Sequence, residues 1–173
     1  GCSIECRLAQ QRAPALCRAT GASLRPRPML LGAVFQATGN ASPANVPAKG
    51  RYMNADMARF AKRYGVPFAM NPHFPINTLV LMRAATGVQR RAPERLAAYL
   101  DGVFRALWVE PRNLNEPAEV AAAWRAAGFD PDATLALANE HETKAALRAT
   151  TDEATARGVF GAPTMFVGDE LFF

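Results

Sequence analysis

Gly158-Val159-Phe160-Gly161-Ala162-Pro163-Thr164, running on into Met165-Phe166-Val167, is the stretch from which the architecture can be read. Two glycines allow a tight loop, and a proline set directly before a β-branched residue and an apolar run marks a turn that enters a sheet. Gly168-Asp169 supplies a two-residue hairpin turn, and Leu171-Phe172-Phe173 returns as the second strand.

Upstream of this loop the apolar period changes from two to 3.6. Met53, Met57, Phe60 and Tyr64 share one face of a helix that Gly65 and Pro67 stop. The Asn71-Pro72-His73-Phe74-Pro75 loop leads to Asn77, an N-cap for a helix over Leu79 to Ala85. Leu96, Leu100, Val103, Phe104 and Leu107 form the next apolar face, then Val120, Ala121 and Trp124 ahead of Gly128. Asp130 and Pro131 open a single further helix carrying Leu135, Ala138, Ala145 and Leu147. Residues 45–150 are therefore expected to be nearly all helix. Before them, Leu24 to Leu31 has extended character, with Pro26 and Pro28 demoting it to an edge or irregular strand. Residues 8–20 carry Leu8, Ala9, Ala13, Leu16 and Cys17 at helical spacing up to Gly21.

Half of the 173 residues are hydrophobic and a fifth are charged, which describes a globular chain and excludes disordered and collagen-like classes. The longest apolar run, Met29 to Phe35 broken by Gly32, is far short of the roughly 20 residues that span a bilayer. No basic-then-apolar leader opens the sequence, so a cytoplasmic protein without a membrane span is expected. The formal charge is +5 and the pI about 9.6, yet the arginines are scattered along helical patterns rather than gathered into a stripe with exposed aromatics. That argues against a nucleic-acid partner and leaves surroundings favourable to small anions. Cys2, Cys6 and Cys17 are odd in number and form no disulfide framework; Cys17 reads as a buried apolar residue. Neither His73 nor His141 has neighbours at metal-ligand spacing, so no metal site is expected.

Four motifs occur in order: Pro28-x-Leu30-Leu31-Gly32-x-Val34-Phe35-x-x-Thr38-Gly39-Asn40, then Pro47-Ala48-Lys49-x-x-Tyr52-Met53, then His73-Phe74-Pro75-x-Asn77-Thr78, and finally the loop over residues 158–164. Together they resemble the 2-hydroxychromene-2-carboxylate isomerases, glutathione-dependent enzymes of the thioredoxin-fold group that also holds DsbA-like oxidoreductases and kappa-class glutathione transferases. The resemblance runs over residues 8–173. It implies an α/β thioredoxin-like fold with a large all-α insertion, residues 1–40 and 151–173 forming a discontinuous thioredoxin-like domain and residues 41–150 the helical insertion. Residue 1 already lies inside a motif, and Phe172-Phe173 stops on an apolar pair, so the fold is expected to be truncated at both ends.

By the same resemblance Pro163 is a cis-proline, the Ala162 backbone and the Asn40 side chain hold glutathione, and the chain is a homodimer. An amide such as Asn40 offers a peptide ligand both a donor and an acceptor, while its place after Gly39 equally suits a turn. The family's Ser-Pro-x-x-Tyr-Leu-Ala motif falls on Ser3-Ile4-Glu5-Cys6-Arg7-Leu8-Ala9, where Ile4 and Arg7 replace proline and tyrosine. Ser3 is thus the candidate catalytic residue, its hydroxyl and the helix field favouring the glutathione thiolate; its plain alternative is an N-cap. Lys49 and Asn77 are candidates for the substrate, an aromatic carboxylate. Lys49, like Arg51 and Arg83, either attracts the anion or sits on a solvated face, and Asn77 and Thr78 also cap a helix. Trp108 and Trp124 fit core packing.

The activity so implied converts 2-hydroxychromene-2-carboxylate to trans-o-hydroxybenzylidenepyruvate, by thiolate addition, rotation about the new single bond, and elimination. Two other readings stay open. One is a kappa-like glutathione transferase or DsbA-like thiol-disulfide oxidoreductase, which would use a disulfide between Cys2 and Cys6, one residue wider than Cys-x-x-Cys. The other is a non-catalytic glutathione-binding or dimerisation module.

Overall fold

Ser3 starts the first helix. Its side-chain oxygen accepts from the Cys6 amide at 3.3 Å and caps α1 (Ile4–Thr20), which ends where Gly21 adopts a left-handed φ of 72°. The computed structural model describes residues 3–173, so the Cys2–Cys6 disulfide that the oxidoreductase alternative would use lies outside the described residues. After α1 come α2 (Leu31–Thr38), a 3-10 turn over Pro43–Asn45, α3 (Pro47–Tyr64) and α4 (Leu79–Arg91). A second 3-10 turn, Pro93–Arg95, leads into α5 (Leu96–Trp108), followed by α6 (Pro117–Ala126), α7 (Pro131–Asn139) and α8 (His141–Ala156). The chain closes with β1 (Met165–Val167) and β2 (Glu170–Phe172), an antiparallel hairpin in which Phe166 faces Leu171 and Gly168 takes a φ of 61°. Glycine tolerates that value at the turn without steric cost.

Helix α4 is the centre of the packing, with α5, α7 and α8 laid against it. Seven of its residues from Leu81 to Val88 are buried, since apolar and small side chains face inward on more than one side. The core is wired as well as packed. The Tyr99 hydroxyl donates to the Leu81 carbonyl at 2.9 Å and accepts from Trp124 Nε1 at 3.1 Å, so two large aromatics are buried without orphaned polar atoms. Gly102 lets α5 approach the end of α6: an added Cβ would lie 2.3 Å from that of Ala127.

Four sequence expectations are corrected. No strand forms over Leu24 to Leu31; residues 24–30 are neither helix nor strand, and helix side chains take two of their polar groups, Pro26 O by Gln89 Nε2 at 2.7 Å and Leu30 N by Thr151 Oγ1 at 3.1 Å. Prolines at 26 and 28 leave too few amides for a ladder. Leu31 then opens α2, a helix the apolar run concealed. The single helix expected after Asp130 is two, because Glu140 is extended (ψ 141°) and its carboxylate pairs with Arg91 at 3.2 Å and Arg90 at 3.8 Å at the end of α4. Leu135 and Leu16 were read as core and are exposed, and Cys17 is only half-buried, since α1 and α7 each bury a shorter stripe than their apolar pattern suggests.

Among the described residues no helix is long and apolar enough to cross a membrane, and no group of three or more His, Cys, Asp or Glu side chains gathers in a way that would hold a metal.

Candidate active site

The loop between α8 and β1 is built from its ends inward. Gly158, at a φ of 85°, turns the chain off α8, and Val159, 2 % exposed, anchors it by donating its amide N–H to the Ala154 carbonyl at 3.0 Å. At the far side the Thr164 hydroxyl donates back to the Gly161 carbonyl at 2.8 Å. Phe160 packs on Phe173 at a 45° tilt with ring centroids 4.6 Å apart, and the Phe173 ring occupies the space a Cβ on Gly161 would need. Between these fixed points Ala162 is half-buried, and the Ala162–Pro163 peptide is cis. Among the described residues no hydrogen bond engages the Ala162 amide or carbonyl. Two main-chain polar groups are thus left in a braced loop for another partner.

Asn40 belongs to the same loop cluster. Helix α2 ends at Gly39, whose φ of 69° swings the next residue out of the helix, and Asn40 Nδ2 then donates to the Phe160 carbonyl at 2.8 Å. Its Oδ1 accepts from the Ala41 amide at 2.8 Å. One N–H and one lone pair of the exposed amide remain beyond these two bonds.

The other end of α2 opens on a groove of about 330 Å³ lined by Leu30 to Ala33 on one side and Ile76 to Leu79 on the other. Eight residues at 1.5 Å each make α2 about 12 Å long, so this groove and Asn40 lie one short helix apart. Asn77 is part of the groove lining, and its Oδ1 accepts from the Leu79 amide at 3.0 Å in a turn just ahead of α4; the N-cap position expected of Asn77 falls on Thr78, whose side chain makes no capping bond. The second wall is approached through a second cis peptide, Phe74–Pro75, which the sequence reading did not foresee.

Ser3 and Cys6 form a pair at the start of α1. The Ser3 hydroxyl donates to Cys6 Sγ at 3.3 Å, a sulfur contact made by the same oxygen that caps the helix. Among the described residues no hydrogen bond links Ser3 to Asn40, Ala162 or Pro163. Arg7, one turn on, is 5 % exposed with Nε and Nη1 unpartnered; burial lowers its pKa, Asp101 opposing and Arg105 adding to the shift. Lys49 sits exposed on the first turn of α3 and does not line the groove. Arg51 is exposed on the same helix and His73 on its loop, while Trp108 and Trp124 are buried core residues. The structure therefore brings Asn40 to the Ala162 loop and Asn77 to the groove, and leaves Ser3 and Lys49 on separate helix starts. The groove walls at Leu30 to Ala33 and Ile76 escaped the sequence reading; the break from extended chain to helix at Leu31 is their only local trace.

Residues 5–173 match the DSBA-like thioredoxin domain, which is nearly the whole chain. The chain belongs to that family. Within the DSBA-like family it is 31% identical, over 96% of its own length and 84% of the relative's, to a 2-hydroxychromene-2-carboxylate isomerase of Sphingobium xenophagum. It is 30% identical to the rat glutathione S-transferase kappa 1, over 82% of this chain and 66% of that one. A solved structure of a 2-hydroxychromene-2-carboxylate isomerase superposes with a TM-score of 0.84 at 28% identity, covering 99% of this chain and 84% of that one. The fold is accordingly the thioredoxin-like one with a helical insertion, of which the β1–β2 hairpin and its approach loop are the sheet portion described here.

Proposed function

We propose that this DSBA-like chain is a glutathione-dependent isomerase acting on 2-hydroxychromene-2-carboxylate or a similar bicyclic aromatic carboxylate. The observation that carries the proposal is the Ala162 loop: its amide and carbonyl are unengaged among the described residues, and Asn40 stands beside them with half of its amide capacity to spare. That donor set fits the peptide backbone of glutathione, which needs a matched N–H and C=O pair and a side-chain amide. Similarity to isomerases and to kappa glutathione transferases supports the same ligand.

In this reading the Ala162 main chain and Asn40 bind and orient glutathione, which supplies a nucleophilic thiol. Ser3 holds the thiolate by its hydroxyl, giving up the bond it now makes to Cys6 Sγ, at the positive end of α1. Asn77, with the apolar groove walls, receives the aromatic carboxylate, and Lys49 adds a distant attraction for the anion rather than a direct contact. Leu30, Leu31 and Ile76 exclude water from the flat ring. The working unit is a homodimer in the cytoplasm.

Turnover of 2-hydroxychromene-2-carboxylate, with and without glutathione, tests this. Activity that requires glutathione is expected. Conjugation of glutathione to an electrophile without isomerisation would favour the kappa-transferase reading instead, and glutathione binding with neither reaction would leave a non-catalytic module.

A further inference from the structure

Each wall of the groove between α2 and α4 is tied to another element by a side-chain hydrogen bond. Leu30 precedes the first turn of α2, and its amide, which no helical carbonyl can accept, donates to Thr151 Oγ1 on α8 at 3.1 Å. The Thr151 hydroxyl proton is committed to the Leu147 carbonyl at 2.7 Å, and Thr151 is buried, so the accepting oxygen has a fixed direction. The Ala33 and Val34 amides both donate to the Leu30 carbonyl at 3.1 Å, so wherever Leu30 is set, the first turn of α2 follows.

The opposite wall is set from another element. The Asn77 amide donates to Asn115 Oδ1 at 2.9 Å, and Asn115 is itself seated by its own amide, which donates to Asn113 Oδ1 at 3.3 Å. Further back Asn71, 1 % exposed, gives Nδ2 to the Leu107 and Arg112 carbonyls, each at 3.0 Å, and takes the His73 amide at 2.9 Å. The stretch from Asn71 to Asn77 is thereby fastened to the end of α5. Thr151 and Asn115 do not line the groove, yet each makes the side-chain hydrogen bond that ties one wall to the helical body.

We propose that Thr151 and Asn115 are positioning residues that set the separation of the two groove walls, and with it the groove's affinity for a planar bicyclic carboxylate. The inference rests on the groove being the substrate side of the site proposed above. Losing either acceptor frees one wall without altering any group that meets the ring.

Thr151→Val, Thr151→Ser and Asn115→Ala test it by two independent readouts: KM and kcat for 2-hydroxychromene-2-carboxylate at saturating glutathione, and the Kd of chromone-2-carboxylate, a stable planar probe, by NMR titration. KM and Kd rise about fivefold in T151V and N115A, on the scale of one lost hydrogen bond, while kcat stays within about twofold. T151S, which keeps the oxygen, stays close to the parent protein. Should T151V fail to fold, the exposed Asn115 carries the test through N115A. Unchanged KM and Kd in the acceptor-less variants, or a T151S variant as weak as T151V, overturns the inference even if melting temperatures fall. A parent protein without turnover that still binds the probe with this variant pattern upholds the positioning role and defeats the isomerase reading; turnover with a flat pattern does the reverse. Neither turnover nor probe binding overturns both.

Discussion

Ser3 carries two separable jobs in one hydroxyl. As acceptor from the Cys6 amide it caps α1, and as donor to a sulfur it is suited to hold a thiolate. Ser3→Asp retains an acceptor at the cap but has no proton to give, whereas Ser3→Ala loses both. We expect S3A to lose about 1 kcal/mol of stability and S3D almost none, read by urea unfolding. Both should lose roughly a hundredfold in turnover, the scale of one donor to a developing or resident anion. Full activity in S3D would remove Ser3 from the chemistry. Arg7, four residues on, stands where the isomerases' motif has tyrosine, and it buries a guanidinium with two unpartnered nitrogens. A buried guanidinium with unsatisfied nitrogens is costly even with the Asp101 charge nearby, so Arg7→Met should stabilise the fold by about 1–3 kcal/mol, raising Tm by roughly 2–4 °C for each. A lowered Tm for R7M would mean that the guanidinium has a partner that matters.

Elements were legible where their boundaries are written in local chemistry. Asp130-Pro131 opens α7, Gly21 ends α1, and Gly168-Asp169 turns the hairpin, because caps and turns depend on a few adjacent atoms. Where a boundary is imposed from elsewhere the sequence carries little trace of it. The α7–α8 break has neither proline nor glycine and is held by Glu140 against Arg90 and Arg91; the strap over residues 24–30 is satisfied by Gln89 and Thr151 from other helices. The site divides in the same way. Asn40 meets the Phe160 carbonyl in the loop that carries Ala162 and Pro163, a contact between two motifs each legible in the sequence, whereas the wall from Leu30 to Ala33 is tied to α8 through Thr151 and leaves no such local trace. Close approach between elements shows only in the folded chain: Gly102→Val adds a branched side chain where a single Cβ already meets Ala127 at 2.3 Å. It should destabilise by about 1–3 kcal/mol, seen as a lower urea midpoint with an unchanged slope. A midpoint equal to that of the parent would show that α5 and α6 are free to separate.

Across the whole molecule, α4 and the helices packed on it form the central body, and α2 serves as a short bridge laid on α8. One end of that bridge presents the groove and the other delivers Asn40 to the loop before β1, about 12 Å away. A tripeptide thiol and a flat carboxylate could therefore meet along a single helix, which is what an isomerase that adds and then expels a thiol requires. The proposed glutathione site depends most on the Ala162 main chain, which is unengaged among the described residues. Titration of isotopically labelled protein with reduced glutathione, followed at the Ala162 backbone amide and the Asn40 side-chain amide, examines it most directly. Saturable shifts at both positions, with the Ala162 amide gaining protection from exchange, are predicted; glutathione that binds while leaving Ala162 unshifted, or does not bind at millimolar concentration, contradicts it.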